Sequence, residues 1–331
     1  MRTGYAFLVT LSLSLIQSAS ALFFLKDQWI GDDFFQGWNW ETENDPTHGR
    51  VNYVSQAEAI SKNLTYVEDD VFFMRADDWS FLNSSSRGRD SIRISSVNAY
   101  DDALFVLDLR HMPQGCSTWP AFWTLSQAGP WPNGGEIDII EGVNLNTDNQ
   151  ATLHTTPMCM MPPDTLRHQA GRTITTNCDT SVNFNTGCGV SFPDSKPSYG
   201  MPFNIAGGGI FAALKWRFGI QVWFWPRDEA PPEVRDGVVK EEPLFPGFGW
   251  GSPAADFPVY PGFCDYDTHF NAHEMVFDLT FCGDWAGNAW AGSGCGGGTC
   301  ENFVDNNPSA FAEAYWAINS LRVYTPLFPF P

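Results

Sequence analysis

The sequence predicts an all-β fold, a sandwich of two antiparallel sheets, and three observations carry that expectation. Long helical patterns are missing, while short runs rich in β-branched and aromatic residues recur between clusters of Gly, Pro, Asn, Asp and Ser. The 331 residues include 30 Gly and 23 Pro, enough turn formers to interrupt the chain often. In Gly219–Pro226 the side chains alternate, with Ile220, Val222 and Phe224 on one face and Gln221, Trp223 and Trp225 on the other.

Taken from the N-terminus, residues 1–21 read as a secretory leader. Arg2 supplies the positive start, Phe7 to Ile16 the apolar stretch, and Ala19-Ser20-Ala21 the small-residue cleavage site. The apolar stretch falls short of the roughly 20 residues that cross a bilayer. The C-terminal Thr325 to Pro331 is too short for the tail of a lipid-anchor signal. A single exported domain over 22–331, with no membrane anchor, is therefore expected. Strands are expected at 51–55, 66–75, 91–95, 103–109, 121–125, 136–141, 151–155, 210–216, 220–225, 275–281 and 321–324, with a tight turn at Phe218-Gly219. One short helix is expected after Asn307, with Pro308 in its first turn and Phe311, Tyr315 and Ile318 at helical spacing. Two long loops, 157–209 and 228–267, are expected to border a functional site.

Charge and cysteines bound the function. With 18 Lys+Arg against 38 Asp+Glu the net charge is −20, which excludes a nucleic-acid footprint. Aromatics at 15% exclude a disordered acidic chain. Eight cysteines in an exported chain imply disulfides, and 105 pairings remain open. They fall in or beside the long loops and can staple them; metal binding is disfavoured because no CxxC pair occurs. Asn63-Leu64-Thr65 and Asn83-Ser84-Ser85 are glycosylation sequons at Asn63 and Asn83.

The chemistry points to Asn133-Gly134-Gly135-Glu136-Ile137-Asp138-Ile139-Ile140-Glu141-Gly142. On a strand Glu136 and Asp138 share a face, and Glu141, five positions on, falls on the other. One extra residue restores it, so a β-bulge is expected around Ile139-Ile140. Ile137, Ile139 and Ile140 then belong to the core. Carboxylates held this close push one another's pKa upward, leaving one ionised beside one protonated.

These residues resemble the ExDxxE signature of glycoside hydrolase family 16 in its bulged, laminarinase-like form. Trp119-Pro120-Ala121-Phe122-Trp123 before the acids, Leu153-His154-Thr155 after them, and Gly88-Arg89-Asp90-Ser91-Ile92-Arg93 extend the likeness. So do Phe281-Cys282-Gly283-Asp284-Trp285-Ala286-Gly287 and Ala314-Tyr315-Trp316. The resemblance implies a jelly-roll sandwich with a carbohydrate-binding cleft on its concave face. It implies a retaining endo-hydrolase of β-1,3- or mixed β-1,3/1,4-glucan, with Glu136 as nucleophile, Glu141 as acid/base and Asp138 as the helper between them. Trp119, Trp123 and Trp285 match cleft aromatics, His154 is placed to bond the acids, and Arg89 is a candidate sugar contact. Trp131, in the turn before the acids, is a further candidate. The implied partner is a polysaccharide, the expected state a monomer, and no cofactor or metal is expected. A glucan-binding relative without activity would have lost the glutamates, and all three acids stand here. A transglycosylase would use the same intermediate.

Overall fold

The computed structural model describes residues 22–237 and 242–327. The expected leader, 1–21, lies outside the described residues. Two eight-stranded antiparallel sheets make up the jelly-roll sandwich. The first runs Arg172–Thr173, Cys188–Ser191, Gln150–His154, Glu136–Glu141, Thr118–Ser126, His273–Phe281, Arg93–Ser96 and Trp38–Trp40 in spatial order. The second runs Ala255–Pro258, Gly219–Pro226, Gly209–Trp216, Ala103–His111, Tyr315–Pro326, Val71–Arg75 and Thr65–Glu68, with Phe23–Trp29 also on Tyr315–Pro326. The expected strands all fall within these two sheets or within the short parallel pair Val51–Tyr53 and Arg89–Ser91.

The alternation in Gly219–Pro226 sorts its side chains as expected. Ile220, Val222 and Phe224 join the core between the sheets, with Phe122, Phe277 and Trp316. Trp223 and Trp225 point outward into a separate apolar cluster with Val234, Leu244 and Trp250. Trp250 meets both rings edge-on, at 5.3 and 5.7 Å. The 228–267 segment was expected to border the site; much of it is instead a cover for the back of the second sheet, because two outward tryptophans there need burial.

Two local expectations are corrected. Residues 66–75 form a hairpin, Thr65–Glu68 and Val71–Arg75, turning at Asp69 and Asp70 with φ of 49° and 61°. Asp tolerates this left-handed geometry, so the turn needs no glycine. The helix after Asn307 is only a 3-10 turn, Pro308–Phe311. Tyr315 opens a twelve-residue strand and Ile318 sits in the main core, while Phe311 belongs to a different cluster. A true α-helix, Cys300–Asn306, lies just before it, capped by Thr299, whose side chain accepts from the Asn302 N–H.

Four disulfides close the loops: Cys116–Cys295, Cys159–Cys264, Cys178–Cys188 and Cys282–Cys300. Cys159–Cys264 joins the two long loops to each other. Among the described residues no helix is long and apolar enough to cross a membrane.

Arg89 is not a sugar contact. Its side chain is wholly buried, and the guanidinium donates to the carbonyls of Asp77 (2.8 Å), Ser80 (3.2 Å) and Val304. It also lies 4.5 Å over the Phe311 ring. A cation so enclosed ties three chain segments together and is out of reach of any ligand. Arg89→Met leaves those carbonyls unpaired, at a cost of about 3 kcal/mol. A melting temperature lower by roughly 6 °C is expected by calorimetry, with unchanged activity per folded molecule. An unchanged melting temperature with weakened substrate binding would restore the sugar contact.

Candidate active site

The acidic strand is launched by two glycines in left-handed conformation, Gly134 (φ 78°) and Gly135 (φ 81°). A Cβ on Gly135 would lie 2.5 Å from the Phe270 ring, so both its conformation and its space require glycine. On Thr118–Ser126 the acidic strand pairs Asp138 with Trp123 and Ile140 with Phe122, skipping Ile139. Ile139 is thus the extra residue of the expected bulge. Ile137, Ile139 and Ile140 are all buried in the core, and Glu136, Asp138 and Glu141 share the other face.

Neighbouring strands complete that face. His154 stands opposite Glu136 in register, and its Nε2 lies 3.4 Å from Asp138 Oδ2. Its Nδ1 bonds Asn185 Oδ1 at 2.9 Å, which holds the ring upright. Atoms of Glu136, Asp138 and His154 lie within 4.8 Å of one another. Among the described residues this is the one trio of His, Cys or acid side chains able to hold a cation, and it contains Glu136, the expected nucleophile, and its helper Asp138, with Glu141 outside it. The two glutamates have indole partners. Trp119 Nε1 donates to Glu141 Oε1 at 2.8 Å, and Trp131 Nε1 donates to Glu136 Oε2 at 2.6 Å.

Burial separates the acids' proton affinities. It pushes Asp138 well above the usual carboxylate range, and the charges of Glu136, Glu141 and Asp278 add to the effect. Burial also lifts Glu141 to about 7, against the Trp119 hydrogen bond and His154, which pull it down. A carboxyl still protonated near neutrality can act as an acid. Asp278, in register with Ala121 and so one strand further from Glu141, is pushed to about 8 by burial, opposed by Arg93 at 3.3 Å. Arg93 also pairs with Glu41 at 2.6 Å and lies 5.1 Å over the Trp123 ring.

Trp119, Trp123 and Trp285 gather beside the acids. Trp119 and Trp123 share the open face of their strand, half-buried, and Trp285 meets Trp119 edge-on at 5.8 Å. Asn144 holds the Trp285 segment by donating to the Ala286 carbonyl at 3.0 Å. The structure therefore brings together Glu136, Asp138, Glu141, His154, Trp119, Trp123 and Trp285, and leaves Arg89 out. Sequence reasoning missed Asn185, Asn144, Arg93 and Asp278. Arg93 and Asp278 carry a signal in hindsight, opposite charges placed on strands otherwise read as core.

The sequence and the fold have counterparts among known proteins. A family model described as "XgeA-like, catalytic GH16 domain" matches residues 38–324. The chain belongs to glycoside hydrolase family 16. This family 16 chain is 45% identical to a probable glycosidase of Schizosaccharomyces pombe, over 91% of its own length and 68% of the relative's. A probable endo-1,3(4)-β-glucanase of Aspergillus fumigatus is 39% identical, over 91% of this chain and 45% of the relative. The chain thus spans about half the length of that Aspergillus relative. Among solved structures, laminarinase 16A of Phanerochaete chrysosporium, described with β-glucans (6-O-glucosyl-laminaritriose) in both donor and acceptor sites, is 46% identical with a TM-score of 0.86. It covers 92% of this chain and 100% of its own. An elongating family 16 β-1,3-glucosyltransferase is 36% identical over 92% of this chain and 100% of its own, with a TM-score of 0.82.

The Trp119 hydrogen bond carries a prediction. Trp119→Phe removes a donor that favours the charged form of Glu141, so the Glu141 pKa rises above about 7. The acid role that the resemblance implies for Glu141 requires the proton, so the basic limb of the kcat–pH profile is expected to move alkaline. A limb that stays or moves acidic would show that this bond does not tune Glu141.

Proposed function

We propose that this protein is an endo-acting retaining glycoside hydrolase of β-1,3- or mixed β-1,3/1,4-glucans. The observation that carries the reading is the split among the acids on one strand face: Glu141 held protonated to about pH 7, and Glu136 half-exposed beneath an indole donor. Glu136 attacks the anomeric carbon as the glycosidic C–O bond breaks, and the Glu141 proton passes to the leaving oxygen. Water then gives a proton to Glu141 and its oxygen to the anomeric carbon, which frees Glu136. Asp138, its proton affinity raised by burial beside both, faces His154 Nε2 at 3.4 Å and is placed to share a proton with Glu136. Trp119, Trp123 and Trp285 offer apolar faces to the C–H faces of glucose units. The laminarinase and endo-1,3(4)-β-glucanase relatives support the choice of glucan.

A second reading has a specific support, the similar solved structure named as an elongating β-1,3-glucosyltransferase. The glycosyl-enzyme is shared by both reactions, and a sugar hydroxyl replaces water in the second step. Product analysis separates them. Glu136→Ala is expected to cut reducing-sugar release from laminarin at least roughly 10³-fold with the fold intact by circular dichroism. Undiminished release in that variant removes Glu136 from the mechanism. Products longer than the starting laminari-oligosaccharide favour transfer.

The chain is further read as an exported glycoprotein. Four disulfides support an oxidising compartment. Asn63 and Asn83 are both exposed, and Asn83 Oδ1 accepts from the Ser85 N–H (2.7 Å) and hydroxyl (2.6 Å), leaving its amide nitrogen outward. Expression through a eukaryotic secretory pathway should yield protein starting at Leu22, with endoglycosidase-sensitive mass at Asn63 and Asn83. Intact residues 1–21 on the secreted protein would exclude the leader, and unmodified asparagines would exclude the glycans.

A further inference from the structure

The bulge that rescues Glu141 has a structural cost at the backbone. On the His154 side, the acidic strand pairs Glu136 with His154, Ile137 with Leu153 and Asp138 with Thr152, and there the ladder stops. The Ile139 carbonyl and the Glu141 N–H lie beyond it, at the bulge, in a region where unpaired polar groups are costly.

One side chain meets both. Asn149 Nδ2 donates to the Ile139 carbonyl at 2.8 Å, and Asn149 Oδ1 accepts the Glu141 N–H at 3.0 Å. Asn149 is wholly buried. Its own N–H donates to Ser198 Oγ at 3.0 Å, also fully buried, and its carbonyl accepts the Phe192 N–H at 2.8 Å. Backbone and side chain are therefore both fixed, and the amide stands in for a missing strand residue. The next residue after Glu141 is sterically set as well. A Cβ on Gly142 would lie 2.7 Å from the Tyr199 ring.

We propose that Asn149 is a positioning residue: it clamps the bulge on both sides and so sets where the Glu141 carboxyl stands. It does not itself meet substrate. The inference rests on the acid/base reading of Glu141. A carboxyl displaced by about 1 Å can lose on the order of 10²-fold in rate.

The test is kinetic and compares variants per folded molecule. Asn149→Ala removes both bonds, and kcat on laminarin is expected to fall 10- to 100-fold with KM changed less than threefold and with a displaced basic limb of the pH profile. Asn149→Asp keeps the acceptor for Glu141 and offers a donor to Ile139 only when protonated. Its kcat relative to wild type should therefore rise as pH falls, and this variant serves if Asn149→Ala does not fold. A cycle with Glu141→Ala, assayed with azide and an activated aryl β-1,3-glucoside, should show Asn149→Ala adding less than a twofold loss. A merely structural role would lower the melting temperature but leave kcat and the pH profile within twofold of wild type, and that result overturns the proposal. Full activity in Glu141→Ala would overturn the reading of Glu141, a separate failure.

Discussion

Six residues have to place three carboxyls on one face of a sheet and three isoleucines on the other. A regular strand cannot do this, because a two-residue period puts the fifth neighbour on the wrong side. The extra residue at Ile139 resolves the conflict, and the rest of the site depends on it. Without it Glu141 would point into the aromatic core and Ile140 toward solvent.

The acids then sit where their charges are poorly solvated, and the surroundings divide the labour of compensating them. Indole N–H groups of Trp119 and Trp131 approach the two glutamates directly, and His154 faces the aspartate. Behind these donors stands a layer of asparagines. Asn185 holds His154, Asn144 holds the Trp285 segment, and Asn149 spans the bulge. Each uses an amide because a single side chain must answer both a donor and an acceptor, or one of them without adding charge. A further anion in this layer would raise the already high proton affinity of Asp138.

The acidic strand was legible because its polarity pattern and its residue count disagree, and only a bulge reconciles them. The alternation in Gly219–Pro226 was legible for the same kind of reason: a strand largely buried on both sides still sorts Ile, Val and Phe from Gln and Trp. Other features gave no such signal. The hairpin at Asp69-Asp70 turns without glycine, so the two strands read as one. Proline and a cap introduce a 3-10 turn as readily as a helix, which misplaced the segment after Asn307. The shortest strands, Trp38–Trp40 and Arg172–Thr173, are too brief to show a period. Arg89 resembled a motif residue, but its hydrogen bonds go to main-chain carbonyls from as far as Val304, and backbone acceptors leave no trace in sequence. Asn149 was hidden likewise, since both of its amide contacts are to peptide groups.

A sandwich has two outward faces, and this one has closed off the rear. The edge-on meeting of Trp250 with Trp223 and Trp225 turns the back of the second sheet into a small second interior. The molecule is therefore one-sided. An extended polymer chain can lie along the acidic strand from one side only, because behind the second sheet the tryptophans that a bare strand would have offered to it are already spent on one another.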